Sequence, residues 1–93
     1  MKAEEASKSC ERVLSLLMLL LHGYHSRQEI VASIADYARC TSPDAQRKML
    51  DRDFSTLERT GIQIDRQPLP IRGLAYSIPL SQFQQEQESE QHL

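Results

Sequence analysis

The spacing of hydrophobic and polar residues predicts three helices followed by two short strands. In the first stretch, residues 10–21, apolar side chains recur at helical spacing and form one broad face. The members of that face are Val13, Leu14, Leu17, Leu20 and Leu21. The opposite side carries Leu16, Met18 and Leu19, so this helix is expected to supply much of the core and to present a second apolar face to a partner. Gly23 is expected to end it.

A capping box marks the start of the second helix. The Ser26 hydroxyl and the Glu29 carboxylate are spaced so that each accepts a hydrogen bond from the other's backbone N–H. Apolar residues at helical spacing follow, and the helix is expected to run to about Tyr37. Its inner face consists of Ile30, Val31, Ile34 and Ala35. Residues 38–41 then form a short link into the third helix.

The third helix combines clear end signals with two chemically different faces. Ser42 is a suitable N-cap, Pro43 fits the first helical position, and Gly61 allows the left-handed conformation that ends a helix. One face is an apolar stripe of Leu50, Phe54 and Leu57. The other face is basic with short hydroxyls, and consists of Lys48, Arg52, Ser55 and Arg59, flanked by Thr56. Such a face suits the phosphates and base edges of a DNA major groove, and an ordinary solvated helix face is the alternative.

Two later stretches alternate between apolar and polar residues and predict a β-hairpin. The first strand is expected over residues 62–66, with Ile62 and Ile64 pointing inward. The second strand is expected to place Leu74, Tyr76 and Ile78 on its inner face. Residues 67–73 between them form a loop that is too long for a tight turn and carries Arg72 at its tip.

The order of these elements is that of a winged helix-turn-helix. The sequence predicts an α+β domain over residues 1–80, in which three helices precede a two-stranded β-hairpin wing. Its DNA-binding residues are expected to be Lys48, Arg52, Ser55, Thr56 and Arg59. Arg66 and Arg72 of the wing have two open interpretations, as phosphate contacts or as solvated surface residues. Residues 81–93 are polar and acidic and are expected to be disordered, or helical only against a partner.

Charge is distributed unevenly between the predicted domain and its tail. The formal net charge is −2, but the tail carries Glu86, Glu88 and Glu90 without Lys or Arg. Residues 1–80 therefore hold 11 basic and 10 acidic side chains, and residues 39–72 hold seven basic and five acidic ones. This modest positive excess predicts that non-specific DNA binding is weak and strongly salt-dependent.

Several other functional classes are disfavoured by the sequence. Cys10 and Cys40 lie far apart without a secretory leader, which favours reduced thiols and a cytoplasmic location. Their spacing to His22 and His25 matches no standard zinc pattern. The apolar run 13–21 is too short to cross a bilayer. The sequence has no glycine-rich phosphate loop and no hydrolase motif, so neither an enzyme nor a cofactor is predicted.

Asp53 lies at the edge of the apolar stripe of the third helix. A carboxylate that faced DNA at this position would repel phosphate. We therefore expect Asp53 to be structural and to pair with a cation, either Arg47 or one from the first helix.

Three short runs resemble the N-terminal DNA-binding domain of WYL-domain transcriptional regulators and, more distantly, of DeoR-type repressors. They are MLDRD at 49–53 followed by Leu57, GIQI at 61–64, and YSI at 76–78. The resemblance covers about residues 11–80 and implies a third helix in the major groove, with Arg52 near the DNA. It departs at Leu50, where that family often has an aromatic residue. Because no WYL sensor domain follows within these 93 residues, ligand sensing is not carried over.

These patterns together predict a cytoplasmic, sequence-specific DNA-binding transcriptional regulator. Binding a pseudo-palindromic site would require two copies, and the first helix or the acidic tail is the expected homodimer contact. The alternative is a winged-helix adaptor or antagonist that binds proteins and not DNA. DNA binding requires Lys48, Arg52 and Arg59 to be exposed and free of ion pairs. In an adaptor these cations would instead be paired with Asp51, with Glu58 or with a partner.

Overall fold

The fold is α+β and largely helical, with a small antiparallel sheet. The computed structural model describes the backbone of residues 2–71 and 73–83, and side chains from Lys8 onward. The helices are α1 (Lys2–Leu21), α2 (Arg27–Ser33), α3 (Ala35–Ala38) and α4 (Pro43–Arg59). The strands are β1 (His25–Ser26), β2 (Asp65–Pro68) and β3 (Leu74–Ser77). The predicted α+β class is therefore confirmed.

The sheet has three strands in the order β1-β3-β2 in the described part of the chain, so the prediction of two strands was wrong. The added strand is β1, whose His25 lies opposite Tyr76 in an antiparallel pair. A strand of two residues shows no alternation of apolar and polar positions, and Ser26 also caps α2. Its pairing with β3 therefore left no signal in the sequence.

The second predicted helix begins where expected but is interrupted. Both capping-box hydrogen bonds are present, with the Ser26 backbone N–H donating to the Glu29 carboxylate at 2.8 Å. The prediction of one helix to Tyr37 was wrong, because Ile34 has an extended backbone (φ −113°, ψ 112°) and separates α2 from α3. Ile34, at the break, and Tyr37, in α3, are both buried.

The rotation of α1 about its axis differs from the prediction. Leu16 and Leu20 are completely buried, whereas Leu14 is 57% exposed and Met18 is 53% exposed. Because the run 13–21 is apolar on nearly all sides, its periodicity could not distinguish the inner face from the outer one. The expected second apolar face exists, but it is formed around Leu14 and Met18.

The first strand of the hairpin after α4 lies closer to the turn than predicted. β2 starts at Asp65 and not at Ile62, so that Ile64 is buried just before the strand begins. The connection is also shorter than predicted, since the Leu69 backbone N–H donates to the Gly73 carbonyl at 3.1 Å. The expected alternation in β3 is not observed, because its last three residues, at positions 75–77, are all buried. A central strand with neighbours on both sides is more deeply covered than an edge strand.

The chain continues in contact with the domain beyond residue 80. The Gln82 side chain accepts from the Gln63 backbone N–H at 2.9 Å and donates to the Gln63 carbonyl at 3.0 Å. Phe83 packs against the core. Residues 81–83, which the sequence assigned to the tail, therefore lie on the domain. The predicted disorder of the remaining tail concerns residues 84–93, which lie outside the described residues.

Candidate nucleic-acid interface

The helix α4 is fixed at both ends by the residues that predicted its limits. The Ala45 backbone N–H donates to the Ser42 hydroxyl at 3.1 Å, and Pro43 follows in the first turn. At the other end the Thr60 hydroxyl donates to the Leu57 carbonyl at 2.6 Å, and Gly61 adopts a positive φ of 97°. The apolar side of this helix is buried and consists of Leu50, Phe54 and Leu57.

A buried ion pair sets the orientation of α4 against α1. Asp53 accepts two hydrogen bonds from the Arg12 guanidinium, at 2.6 Å from Nε and 2.9 Å from Nη2. The Tyr37 hydroxyl donates to the same carboxylate at 2.5 Å. Burial raises the pKa of the Tyr37 hydroxyl, and this hydrogen bond to Asp53 raises it further. The prediction that Asp53 is structural is confirmed, and its cation comes from the first helix and not from Arg47.

The predicted basic face of α4 is open to solvent. Arg52, Ser55 and Arg59 are exposed. Arg52 and Arg59 are seven residues apart, which corresponds to about 10 Å along a helix. Thr56 is only partly exposed. Its hydroxyl donates a hydrogen bond to the Arg52 carbonyl within the helix at 3.0 Å, so it is not free to donate to DNA. Lys48 is exposed but pairs with Asp44 at 3.2 Å.

The two carboxylates beside this face are paired with cations from other elements. Asp51 contacts Arg27 at 2.5 Å, and Glu58 contacts Arg66 at 3.3 Å. Among the residues whose side chains are described, Arg52 has no ion pair, and the same holds for Arg59. Two of the three cations on the basic face therefore meet the condition set by DNA binding, while Lys48 does not.

Arg27 has a role that the sequence reasoning missed. Its guanidinium lies 5.5 Å from the ring centroids of both Phe54 and Tyr76, which stack on each other at 4.8 Å. Its Nε also donates to the Tyr76 hydroxyl at 3.2 Å. A weak signal was available, because a cation in the first turn of a helix interacts unfavourably with the helix dipole and is stabilised by a nearby acid. That partner, Asp51, is distant in sequence and could not be identified from it.

Of the two arginines in the predicted wing, the structure describes only Arg66. Arg66 lies 5.7 Å from the Tyr76 ring centroid and pairs with Glu58, so that it joins the hairpin to the C-terminal half of α4. It is thus neither a plain solvated residue nor an unpaired cation. Arg72 lies outside the described residues.

Comparisons with known proteins give no relative for this chain. No protein-family model, curated protein or solved structure matches it. Among the described residues, no helix is both long and apolar enough to cross a membrane. Within the same part of the chain, no group of three or more His, Cys, Asp or Glu side chains is arranged to hold a metal ion.

Proposed function

We propose that this chain is a winged helix-turn-helix transcriptional regulator that binds specific duplex DNA sequences. In this arrangement α4 is the recognition helix in the major groove, α2 and α3 support it, and the hairpin of β2 and β3 is the wing. Two copies would bind the two halves of a pseudo-palindromic site. The proposed location of the protein is the cytoplasm. The exposed outer surface of α1 around Met18 is the candidate dimer contact.

One observation carries the proposal. Arg52 and Arg59 project from the same helix face without an ion pair in the described structure, while the neighbouring acids Asp51 and Glu58 are each paired with a cation. A guanidinium that is free of carboxylates is available for a phosphate or for the O6 and N7 atoms of guanine. Pairing of the adjacent acids reduces the repulsion that they would exert on the DNA backbone.

A protein-binding function is the second candidate. It is favoured by the ion pairs of Lys48 and Arg66, which leave fewer cations for phosphate than the sequence suggested. An adaptor would use the same α4 face to bind an acidic partner. The two candidates differ in whether duplex DNA alone is bound.

The test is fluorescence-anisotropy titration of the intact chain with mixed-sequence duplex DNA at about 50 and 200 mM salt. We expect the logarithm of affinity to fall linearly with the logarithm of salt concentration. The double variant Arg52→Ala, Arg59→Ala should flatten that slope by about 0.9 for each lost phosphate contact. Arg39→Ala serves as the control, since Arg39 is an exposed arginine of the α3 C-cap, where it pairs with Asp36.

Selection from a pool of random duplexes then measures sequence specificity. A specific regulator should enrich one motif, and the Arg52→Ala variant should lose discrimination at about one base position by 1–3 kcal/mol, on the order expected for a bidentate arginine contact. No binding by the wild-type chain at low salt would overturn the DNA proposal and leave the adaptor.

A further inference from the structure

A cleft of about 400 Å³ lies between α1 and α4, next to the basic face. It is bounded by α1 residues from Ser9 to Leu17 and, across from them, by Arg52, Asp53 and Thr56 of α4. We propose that this cleft is a binding site for a small amphipathic carboxylate, a molecule with one carboxylate group and an unbranched or aromatic apolar body. Its size lies within the range of small-molecule sites, which is roughly 300–1,000 Å³.

The charges that line the cleft specify a single negative group on the ligand. Two of its charged residues, Arg12 and Asp53, neutralise each other through two hydrogen bonds. The third, Arg52, is exposed and has no ion pair among the described side chains. The cleft therefore has a net charge of one positive unit at its α4 edge. A guanidinium binds a carboxylate through two parallel hydrogen bonds.

The opposite wall of the cleft is apolar. Val13, Leu14 and Leu17 of α1 line it, and Leu14 is 57% exposed, although leucine side chains are stabilised by removal from water. An apolar ligand body lying along α1 would cover this side chain. A cation on one wall and aliphatic side chains on the other favour an amphipathic anion over a polar metabolite or a neutral hydrocarbon.

Occupation of the cleft would compete with DNA. Arg52 is shared between the cleft and the exposed face of α4, so a carboxylate bound to it would withdraw one cation from the phosphates. This regulatory step rests on the proposed DNA binding, whereas binding of the carboxylate itself does not. The two are therefore measured separately.

The first experiment measures binding of octanoate to the intact chain without DNA, with octanol as the neutral ligand of the same length. Binding is followed by amide NMR shifts and by protection of Cys10, an exposed thiol at the edge of the cleft, from alkylation. We expect octanoate to bind at least about tenfold more tightly than octanol, since a hydrogen bond to a charged group adds that much affinity. Arg52→Gln should abolish the difference, and Arg59→Gln, on the same helix but not lining the cleft, should keep it.

Three results would overturn the inference. Equal affinity for octanoate and octanol would show that Arg52 does not select the charge. Octanoate shifts that persist unchanged in Arg52→Gln, or that map away from α1 and α4, would place the ligand elsewhere. Protection of Cys10 that rises with protein concentration in the absence of ligand would assign the cleft to a second copy of the chain.

The second experiment adds octanoate to the anisotropy titration with DNA. We expect DNA affinity to fall over the same octanoate range that protects Cys10, and to be insensitive to octanoate in Arg52→Gln. Binding of octanoate without any effect on DNA affinity would contradict the proposed competition with DNA, but it would still support the cleft as a carboxylate-binding site. If the chain binds no DNA, the first experiment still decides whether the cleft takes a carboxylate.

Discussion

At the scale of single residues, the contact between Arg12, Asp53 and Tyr37 joins α1, α3 and α4. The side chain of Asp53 is only 2% exposed and that of Arg12 12%, so both charges are largely removed from water. A buried carboxylate is costly unless cations and hydrogen-bond donors compensate it. Here the guanidinium supplies two donors and the phenol a third. This contact therefore holds the Asp53 side of α4 against α1 and α3.

Removing one member of this contact should destabilise the protein strongly. Arg12→Ala leaves the Asp53 carboxylate buried without its cation, so we expect the free energy of unfolding to fall by about 3–5 kcal/mol. Arg39→Ala, which breaks an exposed pair with Asp36, should change it by less than about 1 kcal/mol. Urea unfolding followed by circular dichroism measures both values. Equal losses in the free energy of unfolding would show that the buried pair stabilises the fold no more than the exposed pair does.

At the scale of the elements, the starts of α2 and α4 could be read from the sequence. Ser26 with Glu29, and Ser42 with Pro43, mark helix starts by local chemistry, and the structure contains those starts. The interruption at Ile34 and the rotation of α1 depend on packing against other elements. Such long-range packing is not encoded in any short window of residues.

The capping box of α2 provides a prediction at this scale. Ser26→Ala removes the hydroxyl that accepts from the Glu29 backbone N–H at 3.2 Å, and should lower the free energy of unfolding by about 1 kcal/mol. Ser33→Ala is the matched control, because Ser33 is an exposed serine at the end of the same helix. Thermal and urea unfolding of the two variants check the difference. A control that loses as much stability as Ser26→Ala would argue against a capping contribution.

At the scale of the whole molecule, the basic face of α4 depends on cations from two other elements. Arg27 of α2 and Arg66 of β2 occupy the acids Asp51 and Glu58. The sequence predicted which residues lie on the α4 face, but not which of them are paired, because the partners are 24 and 8 positions away. The residues on one face of a helix can be identified from its own sequence. The ion pairs that they form with other elements can be identified only from the three-dimensional structure.

Removing these acids should strengthen DNA binding. In the double variant Asp51→Asn, Glu58→Gln, Arg27 and Arg66 lose their carboxylate partners and become available to phosphates. We expect higher affinity at low salt and a salt slope that is steeper by up to about 1.8, which corresponds to two further phosphate contacts. Asp36→Asn, on α3, is the control acid. An unchanged slope would mean that neither arginine reaches the DNA backbone.

The edges of the small sheet have a consequence for aggregation. Edge strands expose unpaired N–H and C=O groups that can recruit a strand from another molecule. On one side β1 is only two residues long. On the other, β2 carries the charged residues Asp65 and Arg66 and ends in Pro68, which has no N–H to donate. In the described part of the chain neither edge is suited to strand addition, so the exposed Ile71 of the hairpin connection, at 94% exposure, is flanked by poor templates for amyloid-like growth.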